Sequence, residues 1–264
     1  MSTPKGRSVG GPWTWPLILV VVGVALLLDN FLLLGDFDAF ALLPLLLLIT
    51  GAQVLLRGDL IPSADSRTFG ITRGSVESGT LEISSGEIDV EVRALQREGR
   101  LIAGQYASQS RPQLQVQDNY AHLIMDRAST PWLSFADWQI GLARDLPWQL
   151  LVSTHLGQVE LDLSRIIVHD AFVATGVGDI RLVSPPEAFG PLFVRSTLGD
   201  IHIITPPGYN TRIIVDRGWM FKTHVDDLRY VTPEPNVFLS TEVVEDVPLV
   251  EIHISGTFGD AYLA

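Results

Sequence analysis

The six histidines, His122, His155, His169, His202, His224 and His253, are the residues of this chain most suited to chemistry. Imidazole ligates metals and acts as a general acid or base near neutral pH. Their spacing supports neither use: no H-x-H, HExxH or other ligand pattern occurs. His202 and His253 alternate with apolar neighbours, which reads as an outward polar position on a strand. Serines are plentiful, but no G-x-S-x-G elbow presents one as a nucleophile. Gly176-Val177-Gly178 lacks the third glycine and the following helix of a dinucleotide loop, so it reads as a turn. Gly-Asp pairs occur in calcium-binding nonapeptide repeats, yet here they are too sparse for that role. Asp226-Asp227 lies in an acidic stretch that reads as a solvated face. The absence of cysteine excludes thiol catalysis, disulfides and thiolate metal sites. No catalytic residue, cofactor or metal follows from these residues, and the chain reads as non-enzymatic.

Charge narrows the partners. The formal net charge is −12, and the 18 basic residues are scattered. Nucleic-acid binding needs clustered Lys and Arg to displace counterions, so it is not expected.

The elements that would carry any function come next. Hydrophobic residues make up 47% of the chain, and the excess lies before residue 57. Pro16–Leu28 (PLILVVVGVALLL) and Pro44–Leu56 (PLLLLITGAQVLL) repeat one pattern: Pro16, Gly23 and Leu28 match Pro44, Gly51 and Leu56. With their flanks, 13–34 and 37–56 approach the roughly 20 residues that span a bilayer. Both prolines fit the first helical turn, where no N–H is needed, and Trp13 and Trp15 suit an interfacial belt. Lys5, Arg7 and Arg57 flank the pair, while the loop carries Asp29, Asp36 and Asp38. The positive-inside rule therefore predicts both ends in the cytoplasm. A cleaved signal peptide fits less well, because Ala39-Phe40-Ala41 lies far beyond the first run and a second run follows it.

Beyond a linker at 58–66, Val, Ile and Thr dominate and glycine recurs, the pattern of many short strands. One phrase returns: Gly86-Glu87-Ile88-Asp89-Val90, Gly157-Gln158-Val159-Glu160-Leu161, Gly178-Asp179-Ile180-Arg181-Leu182, Gly199-Asp200-Ile201-His202-Ile203 and, degenerate, Gly259-Asp260-Ala261-Tyr262-Leu263. The copies at 157, 178 and 199 share a 21-residue period, which predicts stacked units that bury their apolar faces on each other. Val159, Leu161, Leu163, Ile180, Leu182, Ile201 and Ile203 are expected inside; Glu160, Asp162, Arg181 and His202 outside. Two strands per unit give a β-solenoid or rack of short sheets, with a β-sandwich as the alternative because the period fades before 150 and after 215.

Two segments interrupt the repeat. Ser129–Trp138 (STPWLSFADW) and Gly218–Val247 are read as covers for the ends of the stack or as partner contacts. The contact candidates are Trp132, Phe135, Trp138, Trp219, Met220 and Phe221.

The hairpin, with Trp15-Pro16-Leu17, Leu28-Asp29-Asn30, Pro44-Leu45-Leu46 and Leu55-Leu56-Arg57, resembles the membrane region of LiaI/LiaF-type bacterial proteins. The remainder is similar to the adhesin-like, toast-rack β-repeat domains attached to that region; Pro147-Trp148-Gln149-Leu150, the 157–163 phrase and Thr175–Ile180 carry that likeness. The resemblance implies a bacterial cell-envelope protein and, in some members, a regulator that restrains an envelope-stress sensor kinase. It carries no catalytic residues. The expected organisation is a cytoplasmic tail (1–12), a two-helix transmembrane hairpin (13–57), a linker (58–66) and an all-β repeat domain (67–264) on the cytoplasmic side of the cell membrane. The expected function is that of a membrane-anchored scaffold or regulator, with the bilayer and a membrane protein such as a sensor kinase as partners. The alternatives are a self-assembling β-solenoid, with homo-oligomers, and an extracytoplasmic adhesin or glycan-binding module.

Overall fold

From Ser66 onward the alternation of apolar and polar residues resolves into strands, seen in a computed structural model that describes residues 66–107, 111–126, 138–241 and 244–264. The hairpin and tail expected over 1–57 lie outside the described residues. Among the described residues no helix is long and apolar enough to cross a membrane.

In chain order the strands are β1 (Ser66–Thr72), β2 (Ser78–Gly86), β3 (Val90–Ala94), β4 (Arg100–Ala107), β5 (Gln113–Gln117), β6 (Tyr120–Asp126), β7 (Trp138–Leu142), β8 (Pro147–Leu156) and β9 (Val159–Asp162). There follow β10 (Ile167–Val177), β11 (Ile180–Val183), β12 (Glu187–Ala188), β13 (Leu192–Leu198), β14 (Ile201–Ile204), β15 (Asn210–Val225), β16 (Tyr230–Glu234), β17 (Val237–Ser240) and β18 (Leu249–Leu263). All the named strands join one continuous sheet.

Each repeat forms a rung: a longer strand, a glycine corner, then a shorter strand. Parallel pairing stacks the longer strands in the order β6, β2, β8, β10, β13, β18, β15. The shorter strands stack in the matching order β7, β3, β9, β11, β14, with the ends of β18 and β15 completing the row. The 21-residue period is the pairing register itself, with Val159 opposite Ile180 and Ile180 opposite Ile201. This is a solenoid and not a sandwich. Inward Val159, Leu161, Leu163, Ile180, Leu182, Ile201 and Ile203 are all fully buried, as alternation required.

The period fades at the ends because the chain leaves sequence order there. β6 and β7 are laid outside β2 and β3, although they follow them in the chain. At the other end β15 is laid down before β18, which then inserts between β13 and β15. The stack continues through both ends, with its repeats separated by insertions. Aligned by its glycine, the first copy of the phrase is also two residues out of register. Val90, not Ile88, lies opposite Val159, because Gly86 opens a corner two residues longer than the others.

Antiparallel strands finish the stack. β5 pairs with β6, while β4 covers β7 and is itself covered by β1. At the far end β17 pairs with β15 over Arg212–Ile214, and β16 pairs with β17. Gly218–Val247 therefore does cover one end, through this hairpin. Most of Ser129–Trp138 lies outside the described residues. The core widens near β7 and β8, where Trp138 and Trp148 are both fully buried. Trp148 Nε1 donates to the Ala143 carbonyl at 2.9 Å, and its ring occupies the space that a side chain on Gly79 would need.

Candidate functional site

The corners are built by four positions within five residues. First comes a hydroxyl: Thr154, Thr175 and Ser196 are buried at 21-residue intervals. Each donates to a corner carbonyl of a neighbouring rung: Thr154 to Gly86 at 3.1 Å, Thr175 to Gly157 at 3.3 Å and Ser196 to Gly178 at 3.3 Å. A buried carbonyl without a partner would cost more than such a bond returns, which explains the ladder. Two residues later stands an apolar side chain, and then the glycine. Gly178 has φ +143° and Gly199 φ +145°. A Cβ on either would fall on the carbonyl oxygen of the glycine one rung away, so the stack closes only where no side chain exists.

Aspartate follows. Asp179 Oδ1 accepts the Asp200 amide, and Asp200 Oδ1 accepts the Asp260 amide, both at 2.8 Å; Asp89 does the same for Gln158 at 2.6 Å. Gly-Asp is thus a rung-to-rung clamp, and it needs no ligand.

The apolar position points outward. Leu156, Val177, Leu198, Phe258 and Met220 stand opposite one another on successive rungs, and each is between 43% and 56% exposed. At strand spacing they form a ridge about 19 Å long. Phe172 and Phe193 begin a second outward apolar row on the same longer strands, continued by His253, whose ring stacks on Phe193 at 5.0 Å. Half-exposed apolar side chains scattered singly need no explanation, but a row aligned over five rungs is an ordered apolar surface, the usual mark of an interaction site.

The shorter strands carry a different outward row. His202, Tyr262 and His224 stand in register, with Tyr262 stacked between the imidazoles at 4.7 and 4.9 Å. Loss of solvent, and then the carboxylates of Asp200 and Asp260, raise the Tyr262 phenol above its ordinary pKa. It stays neutral at neutral pH. Arg181 continues the row and pairs with Glu160 at 3.0 Å.

Four histidines each meet a carboxylate: His122 with Glu82, His169 with Asp170, His224 with Asp260 and His253 with Glu251. No group of three His, Cys, Asp or Glu residues placed to hold a metal occurs among the described residues. The stack separates its histidines instead of converging them.

The contact candidates are placed as follows. Met220 is exposed and joins the ridge. Trp138 is fully buried and Phe221 is 4% exposed; the Phe221 ring fills the space over Gly256. Both are core residues and offer a partner no surface. Trp132, Phe135 and the side chain of Trp219 lie outside the described residues. The ridge had a sequence signal that the glycine-first phrase hides: Leu156, Val177, Leu198 and Phe258 immediately precede Gly157, Gly178, Gly199 and Gly259.

Residues 66–183 match the family model described as the N-terminal domain of toast_rack, DUF2154. The chain is similar to the crystal structure of a putative cell adhesion protein from Clostridium sporogenes, at 16% identity and a TM-score of 0.65, over 75% of this chain and 97% of that one. A putative adhesin from Bacteroides fragilis aligns at 11% identity and a TM-score of 0.32, over 77% of this chain and 100% of that one. No curated protein matches the chain. In fold, the described domain is a toast-rack-like β-solenoid, all-β with a long, mostly parallel sheet, and its first part matches the toast-rack N-terminal domain.

Proposed function

We propose that this chain is a non-enzymatic scaffold or regulator of the bacterial cell envelope, anchored by the hairpin at 13–57, whose solenoid docks a protein partner. The observation that carries the reading is the ridge of Leu156, Val177, Leu198, Phe258 and Met220, aligned over five rungs. Apolar side chains that the fold does not need outside are kept there rung after rung. The corner chemistry is consumed by the stack, which leaves surface and not reactivity as the output. The partner class is a membrane protein such as an envelope-stress sensor kinase.

The test uses the full chain in cells, with a photo-crosslinking residue at Val177 or Leu198 and a control at Arg165. We expect one membrane protein cross-linked from the ridge, absent from the control and from a Leu198→Asp/Phe258→Asp variant. Equal labelling from ridge and control positions would refute the reading.

Adhesion outside the cell is the second reading, motivated by the name of the Clostridium structure. The side of the membrane separates the two, and a chain without cysteine makes the experiment clean. A single Leu228→Cys, at an 88% exposed turn residue, should resist an impermeant thiol reagent in intact cells. Labelling would favour adhesion. Self-assembly through the stack ends is opposed by their edges. β5 is short and Gln-rich, β16 carries Pro233 and Glu234, and the outer part of β15 is broken by a register shift between Arg217 and Met220 and bears Lys222. These are devices that discourage edge-to-edge pairing.

A further inference from the structure

On the outer face of the shorter strands, at the β1 end, lies an open cleft of about 400 Å³. Its floor holds Ala103 and Gly141, in register on β4 and β7, and Gly70 of β1 carries the same row of small residues on past the lining. The row is what makes the surface concave: a Cβ on Gly141 would run into Leu95, and one on Gly70 would come within 3.0 Å of Arg100 Nη1. The walls bring Arg93, Arg97 and Arg100 together, and no Asp or Glu lines the cleft. Arg144 Nε donates to the Leu95 carbonyl at 2.6 Å and so braces the segment that carries Arg97. Arg93 is shared with Glu91 at 3.3 Å. Arg97 and Arg100 have no ion-pair partner among the described residues.

Three guanidiniums share a hollow that no Asp or Glu lines, with Glu91 reaching only Arg93, in a chain of net charge −12. An anion seated in the hollow would offset their mutual repulsion. Guanidinium forks bond tetrahedral oxyanions on two edges at once, and a concave wall focuses the local field on such a ligand. We propose that the Arg93–Arg97–Arg100 cleft binds a phosphate group. That group comes from one of two sources, a phospholipid headgroup or a soluble phosphate. The lipid source rests on the hairpin reading: Thr68 follows Arg57 by eleven residues, a reach of at most about 40 Å. The phosphate chemistry does not depend on it.

The test takes the full chain in a zwitterionic detergent and titrates inorganic phosphate by calorimetry. Dioctanoyl-phosphatidylglycerol follows, with the phosphatidylcholine analogue as control. Wild type should bind saturably and more weakly as salt rises. Arg97→Gln/Arg100→Gln should lose at least tenfold in affinity. Ala103→Leu, which fills the floor and leaves every charge in place, should lose as much. Arg195→Gln, on the longer strands, should bind as wild type does. Tighter binding of phosphatidylglycerol than of phosphate, with phosphatidylcholine silent, assigns the headgroup; the reverse order assigns a soluble phosphate and counts against the anchor without touching the cleft. No saturable binding of either probe, or full binding by Arg97→Gln/Arg100→Gln, overturns the proposal.

Discussion

Gly178→Ala tests the corner in its simplest form. The substitution adds one methyl group at φ +143°, directly on the Gly157 carbonyl oxygen. Holding a side chain in that backbone region costs about 1–3 kcal/mol. The overlap with the carbonyl can be relieved only by opening the spacing between rungs. The corner bonds there are Gly178 N–H to Leu198 and Gly157 N–H to Val177, both at 2.9 Å. Losing one or two of them adds about 1 kcal/mol each, which brings the expected destabilisation to about 2–5 kcal/mol. The control is Gly74→Ala, where φ is +59° and nothing lies within 4 Å of the added Cβ; it should cost only about 1–2 kcal/mol of left-handed strain. Urea unfolding of the full chain, followed by far-UV circular dichroism, reads both variants on one scale. The reasoning fails if the two are destabilised equally, because backbone strain alone would then account for the corner glycines.

Four further outcomes are expected. Trp148→Phe should destabilise more than Trp138→Phe in the same unfolding assay: the first strands the Ala143 carbonyl, at about 1–3 kcal/mol, while Trp138 Nε1 has no partner among the described residues to lose. Leu198→Asp/Phe258→Asp should shift stability by no more than about 0.5 kcal/mol per site, since both side chains are half-exposed, so that any loss of cross-linking is a loss of contact. Termination before Leu249 should abolish cooperative unfolding and protease resistance, because β18 lies between β13 and β15 and its removal leaves both with a bare edge. Stability should fall as pH rises above 10.0, the ordinary tyrosine value. Burial raises the Tyr230 phenol against the hydrogen bonds of Thr205 and Thr211, so the folded state keeps a proton that the unfolded state releases. Chemical denaturation between pH 9 and 11 should show this slope in wild type and a shallower one in Tyr230→Phe.

Much of the solenoid can be read from Val159, Ile180 and Ile201. Their spacing is both the repeat and the register, so period two gives burial and period 21 gives stacking. The aspartates were legible as turn residues, though not as clamps, because the amide each one binds belongs to the next rung. Trp138 and Phe221 illustrate what could not be read. An aromatic residue in an irregular segment looks the same whether it plugs the core or faces a partner, and only packing over Gly256 or opposite Val90 separates the two. The exchanged order at both ends was hidden for a related reason: strand pairing is not obliged to follow the chain once an insertion is long enough to return.

By itself the sequence determined the all-β repeat and its inward residues, because alternation and glycine spacing are local properties that survive in any arrangement of rungs. Tertiary structure alone decided which surface the rungs compose. The ridge, the histidine–tyrosine stack and the arginine cleft each draw on strands far apart in the chain. The cleft is the plainest case: Thr68, Ala103 and Gly141 have nothing in common until antiparallel pairing lays β1, β4 and β7 side by side. Scattered basic residues then become a local field, because Coulomb interactions depend on distance in space and not on distance along the chain.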